Sequence, residues 1–175
     1  MEALDFYALP TPLGLVVTLG RQGCLARVLL GLPSLEAVQG QVEGLGAIPS
    51  QPRDWFPELH RRLAAYFQGR SVGFDPIRLW SPCWTAFRRR VVAACRKVRF
   101  GQVTTYRGLA RAVGSPKSAR AVGGVMRWNP WPVVVPCHRV LGARGQLHGY
   151  SAAGGLETKR WLLQLEGVSL PPSAG

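Results

Sequence analysis

Carboxylates are scarce in this chain and absent from its middle. Nine of the 175 residues are Asp or Glu, against 22 Lys and Arg, and every acid lies at or before Asp75 or at or after Glu157. Between Pro76 and Leu156 fourteen Lys or Arg stand without an acidic neighbour, so that stretch carries +14, the remainder −1 and the whole chain +13. A solvated basic face normally has acids interspersed. A stretch of this length with none is a surface for a polyanion, nucleic acid foremost, and the blander alternative is a generically basic protein. An anionic membrane is disfavoured, because no long basic helix with a clean apolar face appears.

Long hydrophobic runs are missing as well. None approaches the ~20 residues a membrane helix needs, and Met1-Glu2-Ala3-Leu4-Asp5 has neither the basic nor the apolar region of a signal peptide. The expectation is a soluble, intracellular protein with no membrane partner. Paired cysteines are lacking too: Cys24, Cys83, Cys95 and Cys137 form no C-x-x-C, and His60 and His148 fall at no zinc-like offset from them. No metal is expected, and at least one thiol is left free for chemistry. Hydrophobic residues make up 47% of the chain, which excludes disorder as the default.

The pattern along the chain predicts an α+β protein. Leu13 to Thr18 and Cys24 to Leu30, rich in Val and Leu around Gly20-Arg21-Gln22-Gly23, predict a hairpin. Leu35 to Val42 predicts a short helix, and Gly44 to Pro52 a Gly/Pro/Ser-rich connection. Phe56, Leu59, Leu63 and Phe67 recur at helical spacing until Gly69. The acids cease at an extended linker, Phe74-Asp75-Pro76, which divides an N-terminal α/β domain (1–79) from a mainly helical one (80–175).

In the second part, Trp84, Phe87, Val91, Val92 and Cys95 mark an amphipathic helix with Arg88, Arg89 and Arg90 at its wet side. Val103-Thr104-Thr105-Tyr106 leads into a short helix through Leu109, Ala110 and Val113, ended by Gly114. Ser115-Pro116 then restarts helix, with Ser as N-cap and Pro at the first helical position, over Pro116 to Arg127. Two short helices around a tight turn are a helix-turn-helix signature. In the second, Ala119, Val122 and Met126 take the buried face, and Lys117, Arg120, Gly124 and Arg127 another, flanked by Ala121 and Gly123. Glycine inside a helix costs about 1 kcal/mol relative to Ala. Two in succession leave room either for a neighbouring helix or for a ligand against the backbone.

Asn129-Pro130-Trp131-Pro132 then predicts a rigid turn, and Val133-Val134-Val135 a strand running into Pro136-Cys137-His138-Arg139. A glycine-containing loop follows, then a final helix from Leu156 to Glu166 with Trp161, Leu162 and Leu165 as its apolar face, and a loose tail from Val168. A cysteine ending a buried strand is, taken alone, a small core residue. Here His138 and Arg139 follow it and no acid opposes a thiolate. Cationic and His neighbours lower a thiol pKa from ~8.5 into the reactive range, and soft sulfur accepts soft alkyl carbon.

Gly101-Gln-Val-Thr-Thr-Tyr106, Arg120-Ala-Val-Gly-Gly-Val-Met126, Asn129-Pro130, Pro136-Cys-His-Arg-Val140, Gly149-Tyr150-Ser151 and Leu162-Leu-Gln-Leu-Glu166-Gly167 occur in that order. Together they closely resemble the O6-alkylguanine-DNA alkyltransferases, over about residues 83 to 167. Thr11-Pro12-Leu13-Gly14 and Tyr66-Phe67-Gln68-Gly69 extend the likeness more weakly into the N-terminal part.

The resemblance implies a ribonuclease-H-like N-terminal domain and a winged-helix-like second one. It implies irreversible, single-turnover transfer of the alkyl group of O6-alkylguanine, with O4-alkylthymine as a further substrate, to Cys137 and without a cofactor. The partner would be duplex DNA held by its minor groove, the protein a monomer with cooperative binding open, and its location the cytoplasm or, in a eukaryote, the nucleus. Ser118, Ala119, Ala121 and Gly123 would sit deep in the groove beside Lys117 and Arg127. Arg120 would fill the gap left by the flipped nucleotide, since the target atom lies inside the duplex. Tyr106 would press on the nucleotide's phosphate and protonate guanine N3. The carbonyls of Cys137 and Val140 would read the guanine amino group and Ser151 would donate to O6, with Tyr150, Pro132 and Trp131 also binding substrate. His138, oriented by Glu166, would take the thiol proton through a water, and Asn129 would hold the turn between helix and cysteine.

Two departures from the family pattern stand out. The interval from Tyr150 to Glu166 is about two residues longer, around Ala152-Ala153, and the N-terminal zinc ligands of some relatives are not evident. Three rivals remain at this point: a damage sensor of the same fold, which would lack the cysteine, a helix-turn-helix regulator without chemistry, and a Cys/His hydrolase that would turn over an acyl substrate repeatedly.

Overall fold

The computed structural model describes residues 4–45 and 54–170, so most of the Gly44–Pro52 connection and the end of the tail lie outside the described residues. The chain divides into two compact units, Met1–Pro82 and Cys83–Gly175.

The first unit is built on an antiparallel meander, β1 (Asp5–Thr11), β2 (Gly14–Arg21) and β3 (Cys24–Leu32). The β2–β3 turn is narrower than the glycines suggest. Only Gln22 and Gly23 leave the strands, at φ 50° and 68°, and positive φ at both positions is what a two-residue hairpin of matching twist requires. Sequence patterning missed β1, because Pro10 interrupts its strand signal. Pro10 is tolerated there because β1 is an edge strand, whose outer side needs no donor.

Ser34 caps α1 (Leu35–Gly44), its hydroxyl accepting from the Ala37 N–H at 3.2 Å. α1 buries Val38 and Val42 against Phe6, Val17 and Leu19 of the sheet. α2 (Pro57–Phe67) starts on Pro57 at its first position, with Phe56 as cap rather than as part of the apolar face, and ends ahead of Gly69 at φ 78°. It carries a buried histidine: the His60 ring pairs with the Thr18 hydroxyl at 2.8 Å and with Asp54, and stacks on Tyr7. Burial pushes the His60 pKa down, against the pull of Asp54.

In the second unit, Thr85 caps α3 (Ala86–Arg96), which buries Val91, Val92 and Cys95. β4 (Thr104–Thr105) leads into α4 (Tyr106–Ala112), capped by the Thr105 hydroxyl, and Gly114 ends the turn that follows at φ 72°. The next helix, α5, spans Ala119–Arg127, three residues shorter at its start than the sequence predicts. Ser115-Pro116-Lys117-Ser118 closes instead into a turn, Ser118 N–H donating to Ser115 O at 2.9 Å, with proline at the second position of such a turn, where its fixed φ fits. Ser118, not Ser115, is the N-cap.

The predicted strand Val133–Val135 is also a turn. Pro132 and Pro136 bracket it and supply no donors, and Val133 takes φ 73°. The backbone groups of Val135 are satisfied locally, its N–H by Trp131 O at 2.8 Å and its carbonyl by the Asn129 amide at 2.9 Å, and the valines bury without a sheet partner. A single 3-10 turn, Cys137–Arg139, follows and passes into β5 (Val140–Leu141), parallel to β4. α6 (Gly155–Leu165) closes the unit. Its buried stripe is Lys159, Leu162, Leu163 and then Glu166, whereas Trp161 and Leu165 are half-buried. No helix among the described residues is long and apolar enough to cross a membrane.

Candidate active site

Cys137 opens the 3-10 turn and is 4% exposed. Its sulfur accepts from the Asn129 side-chain amide at 3.1 Å, and the same amide group donates to Val135 O at 2.9 Å. The Asn129 carbonyl oxygen meanwhile accepts from the Trp131 N–H at 3.1 Å. One buried side chain therefore fixes both the turn after α5 and the position of the thiol.

The next two residues point to Glu166. His138 Nε2 lies 2.7 Å from Glu166 Oε1, and Arg139 donates from Nε to Oε2 at 2.9 Å and from Nη2 to Oε1 at 2.9 Å. Arg139 also donates from Nη1 to Val98 O at 2.6 Å, and the Gly101 N–H donates to Glu166 Oε2 at 3.1 Å. Burial alone would raise the Glu166 pKa. The hydrogen bonds from His138 and Arg139 overcome it and hold the carboxyl at about 2. Burial pushes His138 the other way, below its ordinary value, against the pull of Glu166.

This arrangement corrects the sequence-based account of thiol activation. Burial pushes the Cys137 thiol up, and the influences that oppose it are Asn129 and Lys159, with backbone hydrogen bonds at the turn. Arg139 spends its charge on Glu166. Lys159 was not singled out from the sequence. It is fully buried on α6 and donates from Nζ to Val140 O at 2.7 Å and to His148 O at 3.0 Å. No carboxylate lies within ion-pair reach of it among the described residues, and burial pushes its pKa down to about 8. A phasing signal existed: Lys159, Leu162, Leu163 and Glu166 follow the i, i+3, i+4, i+7 spacing of one helix face.

Over 165 residues the chain is 37% identical to a methylated-DNA–protein-cysteine methyltransferase of Methanosarcina acetivorans, covering 93% of this chain and 98% of that one. The chain belongs to this methyltransferase family. The family profile described as "6-O-methylguanine DNA methyltransferase, DNA binding domain" matches residues 86–168. The human methylated-DNA–protein-cysteine methyltransferase is 39% identical over 93% of this chain and 80% of its own. Among solved structures, that of the Mycobacterium tuberculosis O6-methylguanine methyltransferase superposes with a TM-score of 0.76 at 31% identity, covering 97% of this chain and 96% of that one.

Around the buried centre of this methyltransferase, the remaining expected residues take different positions. Tyr106 opens α4, half-buried, and burial together with the nearby Cys137 and Cys95 sulfurs pushes its hydroxyl pKa up. A Cβ on Gly123 would stand 3.8 Å from the Tyr106 ring, an ordinary contact, and one on Gly124 would meet nothing within 4 Å. Neither glycine is demanded by packing inside the protein. Arg120, Ala121 and Arg127 are exposed on α5 and Lys117 is exposed in the preceding turn, while Ser118 and Ala119 are half-buried. Ser151 is exposed and Tyr150 half-buried. Trp131 and Pro132 are buried, Trp131 packed on Trp84 with ring centres 4.8 Å apart. Among the described residues no group of three or more His, Cys, Asp or Glu could hold a metal ion.

Proposed function

We propose that this methyltransferase repairs O6-alkylguanine in duplex DNA by moving the alkyl group onto its own Cys137, once per molecule. The observation that carries the reading is the buried thiol held by Asn129 at 3.1 Å, beside a His138–Glu166 pair at 2.7 Å and behind a helix-turn-helix with an acid-free face. Structures of the Mycobacterium tuberculosis protein include one in complex with DNA, 30% identical with a TM-score of 0.72 over 93% of each chain.

In this reading α5 lies in the minor groove, with Ala121, Gly123 and Ser118 close to the floor and Lys117 and Arg127 on phosphates. Arg120 occupies the stack vacated by the flipped nucleotide. The amino group of the guanine is read by the Cys137 and Val140 carbonyls. Lys159 already occupies one lone pair of Val140 O, and a carbonyl has a second to offer. Ser151 donates to O6, and Trp131 and Pro132 back the pocket from inside, with Tyr150 at its side.

With Nε2 turned to Glu166, proton traffic between His138 and Cys137 runs through Nδ1 and a water. The thiolate attacks the alkyl carbon, the S–C bond forms and the C–O6 bond breaks. Tyr106 protonates N3 as guanine leaves. The thioether product is a poor leaving group, so the protein is spent. No cofactor enters this scheme. The N-terminal unit then corresponds to a ribonuclease-H-like domain (1–79) and the remainder (80–175) to a winged-helix-like one, acting as a monomer in the cytoplasm or nucleus.

The test is intact mass after incubation with duplex DNA carrying O6-methylguanine. The expected result is a stoichiometric gain of one methylene mass (about 14 Da) on Cys137, lost in Cys137→Ala. An unmodified protein that still binds the lesion would overturn the reading in favour of a damage sensor.

A further inference from the structure

Trp128 is 71% exposed, the most exposed large hydrophobic side chain among the described residues, and it stands at the C-cap of α5. The Arg127 guanidinium lies 5.9 Å from its ring centre. At 100° per residue, Arg120, Ala121, Gly124, Arg127 and Trp128 fall within an arc of about 120°, and all five are exposed. Val122, Val125 and Met126 take the opposite, buried side. The outer face of α5 is thus one stripe: an arginine at one end, small residues along the middle, and an arginine–tryptophan pair at the other.

That stripe belongs to the acid-free segment between Asp75 and Glu157, so its electrostatic complement is a polyanion. A protein acid loop or an apolar protein face would match only one of its two ingredients. Nucleic acid matches both, because it offers phosphates to arginine and apolar sugar and base faces to tryptophan. Eight residues along a helix span about 12 Å, or three to four base steps.

We infer that Trp128 is a second DNA anchor, packing on a deoxyribose or base face at the groove edge three to four steps from the nucleotide displaced by Arg120, while Arg127 holds the adjoining phosphate. The inference rests on the repair reading above. It makes α5 a two-point clamp, with small residues between the points to keep the backbone close to the groove.

The experiment compares wild type, Trp128→Ala, Trp128→Phe and Arg127→Ala on a short duplex that accommodates one protein copy, across a salt series. Trp128→Ala is expected to weaken duplex affinity about tenfold, or 1.4 kcal/mol, with an unchanged salt slope. Trp128→Phe recovers most of the loss, and reaction with free O6-benzylguanine base stays at the wild-type rate. Arg127→Ala lowers the salt slope by about one phosphate contact. Wild-type affinity in Trp128→Ala overturns the inference. So does a loss confined to longer duplexes, which would make the occupant a second copy of the protein. If wild type itself takes up no alkyl group from damaged duplex, the repair reading fails and not the role of Trp128.

Discussion

Lys159 and Glu166 stand two turns apart on the buried face of α6, oppositely charged and not paired with each other. Lys159 holds the Val140 carbonyl at 2.7 Å, whereas Glu166 holds His138 at 2.7 Å and Arg139 at 2.9 Å. One helix therefore delivers a cation and an anion to the residues that follow Cys137. A buried charge without a counter-charge is costly, and the thiolate of Cys137 is the charge that would compensate Lys159.

Removing the charge of Lys159 should therefore raise the Cys137 pKa. In Lys159→Met we expect the rate of alkylation by free O6-benzylguanine at neutral pH to fall by about tenfold, which is one pKa unit of thiolate population. The rate should recover as pH rises. The pH profile of single-turnover alkylation checks this, and a uniform loss at every pH would assign Lys159 a packing role only.

Glu166 should set the acid limit of stability. Its carboxyl is held at about 2 in the fold against an ordinary value of 4.5, so the unfolded state binds its proton more tightly. The contribution is present in full above the unfolded value and drains away as pH falls from about 4.5 towards 2. Thermal unfolding followed from pH 7 to pH 3 should show this loss in wild type, and a flatter acid limb in Glu166→Gln. Arg139→Ala leaves the buried carboxylate without its cation and should cost about 3–5 kcal/mol at pH 7.

Val133 should reverse the usual order of Ala and Gly. Its φ of 73° is unfavourable for a β-branched residue, by about 1–3 kcal/mol. Both truncations lose the buried isopropyl group, but only glycine relieves the strain. Val133→Gly is expected to be at least as stable as Val133→Ala by chemical denaturation, whereas at an ordinary strand position glycine is the weaker of the two.

Arg120→Ala should separate base presentation from chemistry. The side chain is exposed on α5, away from the buried thiol network. Repair of O6-methylguanine in duplex should slow by about a hundredfold, the scale of a misplaced reacting group, with reaction of the free base unchanged. Equal losses on both substrates would remove the finger role.

The sequence by itself determined the pieces with local causes. Acid-free charge pointed to a polyanion partner, Gly69 and Gly114 marked helix ends through the positive φ they adopt, and the ordered motifs around Cys137 named the family. Local rules failed where tertiary context decided between alternatives. Pro10 hid β1 because edge position is invisible in a single strand. Pro116 looked like a helix start because a turn and a first helical turn want the same φ. Val133–Val135 looked like a strand, yet Trp131 and Asn129 bond the Val135 backbone in place. The chemistry divides in the same way. That Cys137 is the candidate thiol could be read from its neighbours in sequence. Which charges govern it could not, because Arg139, adjacent in the chain, is spent on Glu166, while Lys159, twenty-two residues on, is brought beside the turn only by the packing of α6.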